Sequence, residues 1–175
     1  AGRLFPHQPS RAATARTRRM SAAATLVHAT AVAIDGQGIL LVGASGSGKS
    51  DLALRLVDRG AILVCDDYCD ILDGSDGPEI HATPSISGKI EVRGVGICSI
   101  DYIPSTPLSM VLQLDRAPDR LPASDGRIEL AGWSVPYARL APFEMSAPLK
   151  AEMLFRRMVD AGQHPVRLET SGYNR

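Results

Sequence analysis

The sequence contains no apolar run long enough to cross a membrane and none of the kind that forms a secretory signal. Neither a spanning helix nor an exported precursor is therefore expected. Net charge is missing too. The 19 Lys and Arg residues balance 19 Asp and Glu residues, so the bulk composition points to neither a nucleic-acid binder nor an acidic sink. Cysteine is scarce, and the three present (Cys65, Cys69 and Cys98) are an odd number, which fits a reducing cytoplasm better than a disulfide scaffold. Cys65 and Cys69 stand four apart, but no second thiol or His pair lies nearby at zinc-ligand spacing, and Cys65 reads as a small buried strand residue. Acid is absent before Asp35, whereas Arg3, Arg11, Arg16, Arg18 and Arg19 are basic. This leader, residues 1–19, shares its acid-free, Arg-rich character with mitochondrial targeting peptides. The plainer expectation is a disordered extension ahead of a start at Met20.

What is present is enough for one domain. The chain has 175 residues, 45% of them hydrophobic, which allows a real core. Residues 20–165 are expected to form that domain and residues 166–175 a flexible tail. Thr25 to Ile34 is apolar and β-branched, hence strand-like, and Asp35-Gly36-Gln37-Gly38 has the chemistry of a reversal. Ile39 to Val42 is a continuous apolar run, as in a buried strand. From Lys49 to Arg59 the period becomes helical, with Leu52 and Leu56 on one face and Gly60 as a stop. Ala61 to Cys65 returns to strand and ends in Asp66-Asp67. Beyond Ile71 a loop-rich stretch is expected until Ile90, then a broken strand around Arg93-Gly94. Strands follow at Ser109 to Leu114 and, more weakly, at Arg127 to Leu130. Ser146-Ala147-Pro148 reads as the cap and first turn of a closing helix, with Leu149, Met153, Arg156 or Arg157, and Val159 along it, and Gly162 at its end.

Gly43-Ala44-Ser45-Gly46-Ser47-Gly48-Lys49-Ser50 matches GxxxxGK[ST] at every fixed position. Glycines adopt backbone angles that let successive N–H groups converge on one anion, and the following helix adds its positive end. Lys49 can reach the β- and γ-phosphates of a nucleoside triphosphate, and the Ser50 hydroxyl can coordinate Mg²⁺. Strand before and amphipathic helix after is the context such a loop needs. Asp66 and Asp67 end the next strand, where a sheet delivers side chains to a nucleotide cleft. One of them can hold the metal or its water while the other accepts a proton from an attacking hydroxyl. His28, alone in an apolar strand, reads on composition as a core residue, and Glu91 as an exposed strand residue.

The blocks from His28 through Gly43–Asp51, Ala53-Leu54, Leu56-Val57, Arg59-Gly60, Leu63-Val64 and Asp66-Asp67 resemble the catalytic domain of bacterial HPr kinase/phosphorylase. So does the stretch Ser87 to Ile97, a more specific match than the phosphate loop. The resemblance covers about residues 28–97, with a fainter echo from 128 to 159, and is to the catalytic domain alone. It implies an α/β P-loop domain akin to phosphoenolpyruvate carboxykinase, with a mixed β-sheet. It implies ATP and Mg²⁺ as cofactors, a serine of an HPr-like phosphocarrier as acceptor, and reversal by inorganic phosphate. By position it makes His28 an active-site residue, Lys49 the phosphate clamp and Ser50 a Mg²⁺ ligand. Asp67 becomes the proton acceptor (donor in phosphorolysis) and Glu91 a second metal ligand. Family members are typically hexamers. Three positions depart from the pattern: Ala44 stands for Asp, Asp51 for Glu, and no arginine precedes the closing helix, where Lys150 offers charge without a bidentate fork.

Two other functions remain open to the residues. A small-molecule P-loop kinase would want an Arg-rich lid, and no Arg cluster follows Asp67. A regulator that senses ATP or phosphate would need only the loop. Between the two aspartates, alternation along an extended strand sends neighbours to opposite faces, so only one can face the phosphate; the resemblance makes that one Asp67 and leaves Asp66 to local structure or metal affinity.

Overall fold

The computed structural model describes residues 24–115, 118, 120 and 125–169. The leader and the last six residues, for which disorder was expected, lie outside them. The two apolar segments before the phosphate loop form strands β1 (Thr25–Val27), β2 (Ala29–Ile34) and β3 (Gln37–Val42). The first expected strand is thus broken, and the break is His28. β2 and β3 pair antiparallel down to Ile34 opposite Gln37. The two turn residues, Asp35 and Gly36, have φ of 51° and 76°, the left-handed pair that matches the twist of a tight hairpin. Helix α1 (Lys49–Asp58) and strand β4 (Ile62–Cys65) follow within a residue or two of their expected bounds.

The stretch expected to be loop-rich is a hairpin, β5 (Cys69–Asp73) and β6 (Pro78–Ala82), joined through a Gly/Ser/Asp turn. Its short alternations (Ile71, Ile80) were hidden by the turn residues around them. A single 3-10 turn (Pro84–Ile86) leads to β7 (Lys89–Val92) and β8 (Gly96–Ser99), a separate two-stranded sheet around Arg93-Gly94. β9 (Ser105–Leu114) is four residues longer than its apolar core predicts. β10 (Arg127–Leu130) pairs with β11 (Trp133–Leu140), an element that Pro136 conceals in the sequence. Helix α2 (Ala147–Asp160) closes the domain, and β12 (Val166–Arg167) adds to β11 beyond residue 165, where the domain was expected to end.

β9 is the hub. It runs parallel to β3 and β11 and antiparallel to β6, so the sheet is mixed. The other pairings complete a circuit. β3 pairs with β2, β2 with β4, β1 with β5 and β5 with β6, while only His28 separates β1 from β2 and only residues 66–68 separate β4 from β5. The sheet therefore closes on itself, with Ala29, Ala31, Leu40, Cys65, Cys69, Ile71, Ile80 and Val111 in one buried cluster. Ile39, Leu41 and Leu112 point the other way, into a second cluster with Leu52, Leu56, Ala151 and Phe155 of the two helices. A strand buried on both faces has no polar side to show, which is why Ile39–Leu41 reads as a continuous run.

Three local readings need correction. Helix α2 buries Ala147, Pro148, Ala151, Phe155 and Met158, whereas Leu149, Met153 and Val159 are 47%, 69% and 39% exposed. Apolar residues occupy two faces of this helix, and packing against β11 and α1 selects the one with the smaller side chains at its start. Ser146 makes no capping hydrogen bond to the helix. Cys65 and Cys69, expected to be free, form a disulfide with their Cα atoms 5.8 Å apart, and Cys98 is the remaining thiol. An odd total does not forbid one pair, and the close approach is set by the turn between β4 and β5.

The two helices are clamped where Arg59 donates to both carboxylate oxygens of Glu152, at 2.6 and 2.9 Å. Hydrogen bonding and charge from Arg59 hold the Glu152 carboxyl below its usual 4.5. A depressed carboxyl contributes stability above the unfolded value and loses it as pH falls through the folded one. Glu152→Gln is expected to lower the urea unfolding midpoint slightly at neutral pH, as for other partly exposed pairs. In urea titrations the difference from the parent should shrink below pH 4.5.

Candidate functional site

β3 ends at Val42 and α1 starts at Lys49, so residues 43–48 have one turn in which to reverse direction. Gly48 sits at the helix N-cap with φ 91°, and a Cβ there would meet the Phe143 ring at 3.0 Å. Both facts demand glycine. A Cβ on Gly43 would lie 2.6 Å from Ser47 Oγ. Lys49 is buried and folds back over the loop, donating to the carbonyls of Gly43 (3.0 Å) and Ala44 (3.2 Å). An ammonium has three donors, so one is left for an anion. Ser47 Oγ is buried with no hydrogen-bond partner. Such a group ordinarily has an undisplayed partner, and here an anion in the loop would supply it.

Asp66 organises the half of the site around Ser50. It is 6% exposed, and its Oδ1 accepts from Ser50 Oγ (2.8 Å) and Thr30 Oγ1 (2.7 Å). Its Oδ2 accepts from the backbone N–H of Glu91 (3.1 Å). Because the Ser50 proton goes to Asp66, the lone pairs of its oxygen are available to a cation. Glu91 itself is exposed on β7 with its main chain against this carboxylate. Among the described residues no cluster of three or more His, Cys, Asp or Glu is set to hold a metal. A hydroxyl and one carboxylate suit Mg²⁺, which takes the rest of its shell from water and phosphate.

Asp67 behaves differently from its neighbour, though not for the reason the sequence offers. β4 stops at Cys65, and Asp67 lies in the turn with φ 71°, so strand alternation does not apply. The turn directs Asp66 inward and leaves the Asp67 side chain 67% exposed, 3.3 Å from His28 Nε2. His28 also sits beside Tyr68, ring centroids 5.4 Å apart. The break in the β1–β2 strand is what frees His28 from the sheet, and Ala29 N–H closes the arrangement on the Asp67 carbonyl (3.1 Å).

Of the residues singled out in the sequence, Gly43–Lys49 form the loop, and Ser50 and the Glu91 main chain meet at Asp66. His28 and Asp67 meet each other. Several neighbours went unread. Thr30 looks like any β-branched strand residue. Arg93 has a guanidinium nitrogen 4.0 Å from where a Cβ on Gly46 would stand, which brings a second positive charge to the loop. On the other side, Gln113, Asp115 and Phe143 face Ala44–Ser47 across a cleft of about 290 Å³. Arg55 holds the segment carrying Phe143 by donating to the carbonyls of Pro142 (2.5 Å) and Glu144 (3.2 Å). Lys150 pairs with Glu144, which lowers the Glu144 carboxyl below its usual value.

Thr30→Val keeps the shape of β2 and removes one donor from a buried carboxylate. Hydrogen bonds to charged groups are worth about 1.5–3 kcal/mol. A loss of that size in urea unfolding is expected, and a fully stable Thr30→Val would mean that Asp66 does not depend on this contact.

Comparison with known proteins agrees with this fold. A family model described as HPr Serine kinase C-terminal domain matches residues 19–174. An HPr kinase/phosphorylase of Clostridium botulinum is 47% identical over 90 residues, 51% of this chain and 29% of that protein. One of Caldicellulosiruptor bescii is 37% identical over 122 residues, 62% of this chain and 39% of that protein. The chain thus spans well under half the length of these curated relatives. The solved Hpr(Ser) kinase/phosphatase from Coxiella burnetii superposes with a TM-score of 0.69 at 25% identity, covering 79% of this chain and 98% of that one.

Proposed function

Because the chain belongs to the HPr serine kinase C-terminal domain family, we propose that it transfers the γ-phosphoryl group of ATP to a serine of an HPr-like phosphocarrier protein. The observation that carries this reading is the separation of two carboxylates: Asp66 buried on Ser50, Asp67 exposed beside His28. Phosphoryl transfer needs one centre for charge on the phosphates and another for the acceptor proton.

Residues 43–48 would bind the phosphates through backbone N–H groups, with Lys49 adding charge on the β- and γ-phosphates. Ser50 and Glu91 would hold Mg²⁺, which when bound neutralises phosphate charge and aligns the terminal group. Asp67 takes the proton of the serine hydroxyl as its oxygen bonds to phosphorus, and the bond from phosphorus to the β-bridging oxygen breaks to leave ADP. His28, 3.3 Å from Asp67, orients that carboxylate. In the reverse direction inorganic phosphate is the acceptor and Asp67 returns the proton to serine.

A second reading, an ATP-sensing regulator without transfer, draws on Lys150. The position where an arginine is expected holds a lysine already paired with Glu144. Labelled ATP, Mg²⁺ and an HPr-like carrier separate the two. Label on a carrier serine supports the kinase; tight nucleotide binding with unlabelled carrier supports the regulator.

Two substitutions test the roles. Lys49→Ala should abolish most ATP affinity in calorimetry, since Arg93, exposed on the β7–β8 hairpin, is a poor substitute for a buried clamp. Asp67→Asn should keep ATP affinity and lose transfer to the carrier by about 10²–10⁴-fold, the range for a positioned base. Loss of ATP binding in that variant would move Asp67 to the metal instead.

A further inference from the structure

The two carboxylates sit on a loop with an unusual neck. Four steps of extended chain would carry Cys65 to Cys69 over roughly 13 Å, yet their Cα atoms are 5.8 Å apart. The pairing opposite them stays in register. Cys65 faces Ala31 and Cys69 faces Val27, with Ala29 N–H on the Asp67 carbonyl between them. Asp66, Asp67 and Tyr68 face residues 28–30 in equal number but are folded into a turn, and the disulfide closes its base. Asp67 carries the positive φ that this closure requires, a conformation that L residues other than Asn and Asp rarely hold. Tyr68 N–H bonds the Asp66 carbonyl across the turn (2.9 Å).

We infer that the Cys65–Cys69 disulfide is a positioning element for Asp67, and that its redox state sets the rate of phosphoryl transfer while Asp66, held by Thr30, Ser50 and the Glu91 main chain, and the phosphate loop stay in place. The link to transfer rests on the proposed function above. The loop itself, Gly43–Lys49, is held by contacts that do not pass through either cysteine. A dithiol reductant supplies two electrons and two protons: the Cys65–Cys69 bond breaks, two thiols form, and the reductant leaves as its own cyclic disulfide. The dithiol state has somewhere to go. Cys69 Sγ is 3.4 Å from the Ala29 carbonyl oxygen, so the new thiol can donate to the segment on which Asp67 rests. With the neck unclosed, Asp67 is free to leave the left-handed region, and residues 67–68 relax towards strand. Both cysteines are buried, at 2% and 0% exposure, so reduction waits on opening of that turn. In a reducing compartment, disulfides are usually transient, catalytic or sensing, which is the behaviour inferred here.

The test uses the whole chain in oxidised and dithiol-reduced form, with thiols counted under denaturing conditions: one (Cys98) before reduction and three after. Transfer to the carrier should fall by about 10–100-fold on reduction, as for an ångström-scale displacement of a reacting group, with nucleotide affinity unchanged and the rate restored on reoxidation. The Ala29 and Tyr68 amides should exchange faster with deuterium in the reduced form. Cys65→Ala/Cys69→Ala should behave as the reduced form and ignore the dithiol; if it fails to fold, the reduction and reoxidation cycle decides. Equal transfer and equal exchange at verified thiol counts overturn the inference, as does a protein isolated under oxidising conditions with three free thiols. If neither form labels the carrier, the proposed kinase function fails, and the amide exchange still decides the role of the disulfide.

Discussion

The carboxylate of Asp66 is the point on which the site depends. Three donors converge on it from three elements: Ser50 from the start of α1, Thr30 from β2 and the Glu91 main chain from β7. A buried carboxylate is tolerated only when its oxygens are satisfied, so each contact is enforced by the expense of leaving the charge unpartnered. The phosphate loop, the closed sheet and the separate β7–β8 hairpin are thereby fixed relative to one another. Without Asp66, nothing among the described hydrogen bonds would tie the β7–β8 hairpin to the end of the phosphate loop.

The sheet explains why a turn of three residues can hold such a group. Because β1–β2 and β4–β5 are each one chain interrupted once, the interruptions face each other, and the site is built where both ladders lapse. His28 escapes on one side and Asp66 to Tyr68 on the other. Backbone groups freed there are taken up locally, by Ala29 N–H on Asp67 and Tyr68 N–H on Asp66. The packed clusters on either face of β3 keep the frame rigid while the polar groups occupy the gap. Helix α1 delivers Lys49 and Ser50, its buried face locked by Leu52 and Leu56, and the Arg59–Glu152 pair ties its far end to α2.

The phosphate loop was legible because its demands are local. GxxxxGK[ST] specifies backbone angles, a helix start and a charged reach within eight residues, and the structure keeps all three. The β2–β3 hairpin, α1 and β4 were legible for the same reason: a turn, a period or a run determines each without reference to distant partners. The β5–β6 hairpin and β11 were not. Their side chains are short alternations among Gly, Ser, Asp and Pro, and they become strands because β9 and β1 offer them ladders. The face chosen by α2 was equally hidden, since two apolar stripes competed and only packing could select one.

The sequence by itself determined the α/β class and the glycine-rich loop between strand and helix, because glycine conformations, periodicity and charge act over a few positions; the mixed sheet and the places of His28 and Asp67 in the site were implied by the family resemblance. Tertiary structure decided which aspartate faces inward, that His28 leaves its strand, that Lys150 is held by Glu144, and that Cys65 and Cys69 join. The aspartate, His28 and cysteine outcomes follow from segments 36 to 40 residues apart in sequence, or from the turn that the cysteines close, and the Lys150–Glu144 pair spans the turn into α2. Strand alternation predicts opposite faces for Asp66 and Asp67, but the strand ends before either is reached. Their separation comes instead from a left-handed turn held shut at its base, a condition that the ladder on the facing strand imposes and no local pattern records.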